Sequence, residues 1–197
     1  GDGDDLLLAG AGTDVVYGGT GNYMIITGIL AGDATPLGGA SDVVAAGDGS
    51  DSVQVTEGYG RIELGAGADD VGVMGFGDND GTENAATIIT DFDPTEDQLL
   101  LEVHAADFDM PPDANALEIS YAVTQVETAL GSATLVAPSV DDEALQAELS
   151  EARVGNALLI GVQPAQISGD MVRVLVTNDD TSDGPQEVLN LRSVFFG

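Results

Sequence analysis

Cysteine and lysine are missing from this chain, and histidine occurs once, as His104. Without cysteine there is no disulfide framework, and zinc, haem and iron-sulfur sites lose almost all of their usual ligands. The only cationic side chains besides that histidine are Arg61, Arg153, Arg173 and Arg192. Nucleic acid is therefore a poor partner, because phosphate binding relies on Lys and Arg to displace counterions; anionic membrane surfaces are disfavoured for the same reason. No run of about 20 apolar residues occurs, which argues against membrane insertion by a spanning helix. The Gly-Asp start does not resemble a signal peptide, and Gly1 reads as a processed or truncated start.

Acid dominates what is present. The 197 residues carry 35 Asp and Glu against 4 Arg, a formal charge of -31 at pH 7, and such a chain repels itself when compact. Yet 43% of the residues are hydrophobic, enough to give one or two small domains a core and too many for a wholly disordered acidic tail. Cations are the natural counter-charge. Carboxylates and backbone carbonyls are hard oxygen ligands, which select calcium over softer transition metals.

The acids are not scattered. GDGDDLLLA runs into GAGTDVVYG and GTGNYMIIT, so Gly, Asp and apolar positions recur every nine residues from Gly1. After a looser stretch over residues 27–36, the period resumes as LGGASDVVA, AGDGSDSVQ, VTEGYGRIE and LGAGADDVG across residues 37–72. The period reads as a Gly-rich turn of six residues followed by a strand of three, two repeats making one coil of a flattened solenoid. The middle residue of each strand points inward, and Leu7, Val16, Ile25, Val44, Val53, Ile62 and Val71 hold that place. All are aliphatic, as a narrow core between two sheets requires.

These repeats resemble the RTX (haemolysin-type) nonapeptide family, whose pattern GGxGxDxUx forms a calcium-binding parallel β-roll. The resemblance covers roughly residues 1–80 and implies calcium ions between stacked turns, held by the repeat's Asp and by turn carbonyls. The Asp position falls on Asp5, Asp14, Asp42, Asp51 and Asp69, with Tyr23 and Gly60 replacing it in two repeats. Counting the loose stretch as one repeat puts Asp5, Tyr23, Asp42 and Gly60 on one edge and Asp14, Asp51 and Asp69 on the other, with Asp33 completing the second column. Calcium is then expected mainly on the edge of Asp14, Asp33, Asp51 and Asp69, with Asp51 and Asp69 the strongest pair. The alternative is that Gly-Asp turns merely solvate an ordinary solenoid.

Beyond the repeats, VMGFGDNDGTE keeps Gly and Asp and makes Asp78 a further candidate ligand. The following ATIITDFDPTEDQLLLEV pairs two strands around an acidic turn. It resembles the I-x-D-F-x-x-x-x-D-x-L segment that follows RTX repeats, which makes Asp91 and Asp97 candidate ligands and Phe92 an apolar plug; otherwise Asp91 and Asp93 form a solvated turn. Further on, ALEISYAVTQV, SATLVA, NALLIGV, DMVRVLVTN and EVLNLRSVFF read as strands, and SVDDEALQAELSEA as a short amphipathic helix opening at Ser139. The expected fold is all-β: a parallel β-roll over residues 1–82, then a β-rich C-terminal capping or secretion region over residues 83–197 with one short helix.

No catalytic constellation emerges. His104 stands alone, paired carboxylates arise by chance among 35 acids, and neither HExxH nor a Walker loop is present. The chain is expected not to be an enzyme but a secreted, extracellular or cell-surface calcium module that folds on binding the ion. The resemblance implies type I export. Two alternatives stand beside this: a self-assembling surface-layer, fibre or adhesin subunit stacking end to end through its roll as a homo-oligomer or filament, and the non-catalytic tail of a larger secreted enzyme.

Overall fold

Short apolar triplets between Gly and Asp cannot make long strands, and they do not. The computed structural model describes residues 1–10, 12–28, 41–56, 60–74, 86–104, 119–151 and 154–177. In the repeats, the strands are β1 (Leu6–Gly10), β2 (Val15–Thr20), β3 (Met24–Thr27), β4 (Val43–Asp48), β5 (Ser52–Val55), β6 (Arg61–Ala66) and β7 (Asp70–Val73). At four to six residues they are longer than the expected three; in β1, β2, β4 and β6 pairing continues into a glycine of the next turn. Beyond them come β8 (Thr87–Ile89), β9 (Gln98–His104), β10 (Ser120–Thr128), β11 (Gly131–Ser139), α1 (Glu143–Glu151), β12 (Ala157–Ile160) and β13 (Val172–Thr177).

Successive strands alternate between two sheets. One runs β1-β3-β5-β7-β9-β13, parallel throughout; the other runs β2-β4-β6-β8-β12, also parallel, and ends in the antiparallel strands β11 and β10. The inward positions stack as the sequence implies. Leu7 pairs with Ile25, Ile25 with Val53 and Val53 with Val71 in one sheet, while Val16, Val44, Ile62 and Ile89 align in the other. Ile25, Val53, Ile62, Val71 and Ile89 are fully buried, and each such side chain contributes on the order of 1.5–3 kcal/mol by leaving water.

The register corrects one expectation. Leu7 and Ile25 are 18 residues apart, as are Val53 and Val71, whereas Ile25 and Val53 are separated by 28. Ten more residues separate Ile25 from Val53 than separate the other pairs, yet β3 and β5 are neighbours in the sheet order, so the alternation downstream shifts by one sheet from that expected. Asp42 therefore lies with Asp14, and Asp51 and Asp69 lie with Asp5 and Tyr23. Asp33 and Asp78 are outside the described residues, as is the segment EVLNLRSVFF.

Both sheets continue past residue 82. β8 and β9 stack on β6 and β7, and β12 and β13 then stack on β8 and β9. The change near residue 82 is thus one of sequence pattern, across which the sheets run on. Phe92, expected as a plug, is buried in the same core, with β12 and β13 extending the sheets beyond it. Helix α1 starts after Asp142, whose carboxylate accepts the Leu145 amide at 3.1 Å; Ser139, the expected start, closes β11 instead. No helix among the described residues is long and apolar enough to cross a membrane.

Glycine sets how closely the coils approach. Gly47 and Gly65 have φ of 116° and 101°, and a Cβ on either would overlap a carbonyl of the turn stacked on it, Gly19 O and Gly47 O respectively. Gly72 lies mid-strand, where a Cβ would meet nothing nearer than Gln54 Cγ at 3.8 Å. Replacing Gly65 by Ala is expected to cost at least about 2 kcal/mol, from left-handed strain and carbonyl overlap together. Gly72→Ala is expected to be neutral or slightly stabilising; urea denaturation of both variants checks the contrast.

Candidate metal centre

Two edges join the sheets, and they are built differently. At one, residues 1–5, 19–23, 47–51 and 65–69 form five-residue turns of the form G-x-G-x-D, or G-x-G-x-Y in the second. Their glycines stack directly, Gly1 against Gly19, Gly19 against Gly47 and Gly47 against Gly65. At the other edge the connections differ in length from coil to coil. The regular edge places Asp5, Tyr23, Asp51, Asp69 and Asp97 in one column, each just before its strand.

Within this column each carboxylate reaches back to the preceding coil. Asp51 Oδ1 accepts the Tyr23 amide at 2.8 Å, Asp69 Oδ1 accepts the Asp51 amide at 2.7 Å, and Asp97 Oδ1 accepts the Asp69 amide at 3.0 Å. Asp97 is completed by the Asp93 amide at 2.7 Å on its other oxygen. Asp51 and Asp69 are not completed: Oδ2 of each is buried without a hydrogen-bond partner, although the residues are only 2% and 1% exposed. Asp5, at the start of the column, is exposed.

The opposite edge has a smaller cluster. The Asp14 amide donates to Asp42 Oδ1 at 2.8 Å, and Asp14 Oδ2, Asp42 Oδ2 and the hydroxyl of fully buried Thr27 all lack a hydrogen bond. Above Asp42 this column continues with Gly60 and Thr87, which carry no charge. Thr27 was not anticipated from sequence. Its signal was the inward phase it shares with Ile25 at the end of β3.

Asp91 bonds the backbone of the preceding coil through both of its oxygens. Its oxygens accept the Leu64 amide at 2.8 Å and the Gly65 amide at 2.9 Å, so both are engaged in holding the turn above β6. Asp93 accepts the amide and hydroxyl of Thr95 at 2.8 and 2.7 Å, and these bonds hold its carboxyl below the usual range. The acidic turn at residues 91–97 is thus tied to the preceding coil through Asp91, closed on itself by Asp93, and joined to the ladder by Asp97.

The stacked carboxylates act on one another's protonation. Burial pushes the Asp69 carboxyl up to about 6, against the pull of the Asp51 amide and with added repulsion from Asp97, Asp51 and Asp91. Burial also raises Asp51 and Asp97, and it raises Asp42 despite the Asp14 amide and the nearby Thr27 hydroxyl. Among the described residues, no group of three or more acidic, histidine or cysteine side chains converges as a metal cluster. A cation here would be held by one or two carboxylates together with turn carbonyls, an all-oxygen set that suits calcium. The orphaned buried oxygens of Asp51 and Asp69 fit such an ion.

Fold and turns together define a two-sheet parallel β-solenoid with stacked, aspartate-bearing turns. No protein-family model and no curated protein matches the chain. Among solved structures it is similar to the solution structure of the AlgE6R3 subunit from the Azotobacter vinelandii mannuronan C5-epimerase, with 20% identity and a TM-score of 0.28 over 93% of this chain and 82% of that one. A superposition that loose gives no residue correspondence, and the roll described above follows from the register of its own strands.

Raised carboxylate pKa values fix the sign of a pH effect. Asp42, Asp51, Asp69 and Asp97 bind protons more tightly folded than unfolded, so their contribution to metal-free stability is fully present below the unfolded value of about 3.9. It is lost as pH rises, for Asp69 through about 6. In chelator, the melting temperature is expected to rise as pH is lowered from 7 to about 5, and Asp69→Asn should flatten part of that rise. Thermal melts followed by circular dichroism measure both; a melting temperature that falls over this window contradicts the assignment.

Proposed function

We propose that the chain is an extracellular calcium-binding β-roll module that folds on meeting calcium after export. The observation that carries this reading is the pair of buried, unpartnered oxygens on Asp51 and Asp69, in a chain of net charge -31. In low calcium these carboxylates oppose stacking. A divalent ion between turns turns the repulsion into attraction, and its binding energy becomes folding energy. The Asp14–Asp42 pair is a second candidate position on the opposite edge.

A second reading is assembly by end-to-end stacking of rolls, which the parallel pairing within both sheets would allow by strand addition. Calcium-dependent folding and assembly are compatible, and light scattering distinguishes a monomeric module from a stacking one.

Far-UV circular dichroism of the chelator-treated chain is expected to change cooperatively from coil to β at roughly millimolar calcium, the range of weak extracellular sites. Asp69→Asn should act in opposite directions on the two states: more residual structure in chelator at pH 7, and a calcium midpoint raised about tenfold or more. A β spectrum indifferent to calcium would contradict metal-driven folding.

A further inference from the structure

The regular edge has one interruption, Tyr23, and its side chain is not idle. It is 2% exposed and lies in the core beside Gly18, where a Cβ would come within 3.0 Å of the ring. Its hydroxyl donates to the Gly1 carbonyl at 2.6 Å and lies 3.3 Å from the Thr20 carbonyl. Gly1 belongs to the first turn and Thr20 to the second, so one phenol spans two stacked turns.

Register supplies the counterparts of these atoms in later coils. Gly1, Thr20 and Tyr23 correspond to Gly19, Asp48 and Asp51 one coil on, and to Gly47, Ala66 and Asp69 in the next. In those two coils the Asp48 and Ala66 carbonyls accept the Gly21 and Gly49 amides, as the Thr20 carbonyl accepts that of Gly3, but no phenol reaches them, and the residue replacing it carries a buried carboxylate oxygen without a partner. We propose that the Tyr23 hydroxyl takes the place of a divalent cation in the first of these equivalent inter-turn positions, closing it to calcium, while the positions at Asp51 and Asp69 remain open. This rests on the calcium reading above and adds to it a residue that sets how many ions the edge takes.

The chemistry of the exchange is balanced. A phenolic O–H offers the positive end of a dipole to two carbonyls and brings no charge, so the site needs no counter-ion. Aspartate at the same place brings a charge that only a cation relieves. Burial, followed by repulsion from Asp5, Asp2, Asp51 and Asp4, raises the Tyr23 pKa and keeps the hydroxyl a donor. Neighbouring contacts between the first two turns are also made without metal: the Asn22 amide donates to Asp4 Oδ1 at 2.8 Å and the Thr20 hydroxyl to Asp2 Oδ1 at 2.9 Å. The Ser50 amide makes the counterpart of the first of these bonds one coil on, to Asn22 Oδ1 at 2.7 Å, so what sets the Tyr23 step apart is a neutral phenol where the next two carry an unpartnered carboxylate oxygen.

Isothermal titration calorimetry of the whole chain with calcium chloride tests this by stoichiometry, with circular dichroism confirming folding in calcium. Tyr23→Asp is expected to bind one more calcium ion per chain than the unsubstituted protein. Tyr23→Phe is expected to bind the same number while melting about 2–4 °C lower in saturating calcium, the loss of roughly one buried hydrogen bond. A folded Tyr23→Asp variant with unchanged stoichiometry overturns the proposal. If that variant does not fold, an unchanged melting temperature for Tyr23→Phe overturns it instead. An unsubstituted chain that binds no calcium removes the underlying calcium reading, a result distinct from either.

Discussion

Carboxylates stacked at the spacing of neighbouring strands, about 4.8 Å, are the constraint on which this structure turns. At that separation two partly buried charges repel by an amount on the order of a few kcal/mol, comparable to a good part of the stability of a small domain. Asp51, Asp69 and Asp97 stand in such a column. Backbone amides take one oxygen of each and fix its direction, but they do not remove its charge. Whatever neutralises the edge, a proton or a cation, decides whether the coils stack.

The same feature that allows stacking creates the conflict. Glycines with positive φ let the chain turn tightly and let one turn lie directly on the next. A side chain at Gly47 or Gly65 would hold the turns apart, and the carboxylates with them. Close turns also bring backbone carbonyls together, so the edge offers oxygen from both main chain and side chain. The core contributes in parallel: Ile25, Val53, Ile62 and Val71 seal the space between sheets, which withdraws the inner face of each Asp from water and raises its affinity for a proton. Apolar burial and the demand for a counter-charge are therefore coupled through a few residues at each strand entry.

Much of this was legible in the sequence because the nine-residue period places the aliphatic and acidic positions at fixed offsets. The inward column from Leu7 to Val71 and the stacking of Asp51 on Asp69 follow from that period alone. The edge assignment of Asp14 and Asp42 did not, because the ten extra residues between Ile25 and Val53 nearly equal one repeat, and counting them as one reverses the alternation. The return of β12 and β13 to the two sheets was equally hidden, since a strand's partner across the excursion of β10, β11 and α1 is not written in its own alternation. Tyr23 reads as a lost aspartate, and only the structure shows its hydroxyl contacts with Gly1 and Thr20 in two stacked turns.

Proton release on calcium binding probes the buried carboxylates most directly. Calorimetry at pH 6, repeated in buffers of different ionisation enthalpy, counts the protons that each bound ion displaces. Asp69, raised to about 6 by burial, must give up its proton to serve as a ligand, so a net release is expected at pH 6 and should fade by about pH 8. Binding heats that do not depend on the buffer at pH 6 would contradict calcium entry at these carboxylates and leave the column to be neutralised by protons alone.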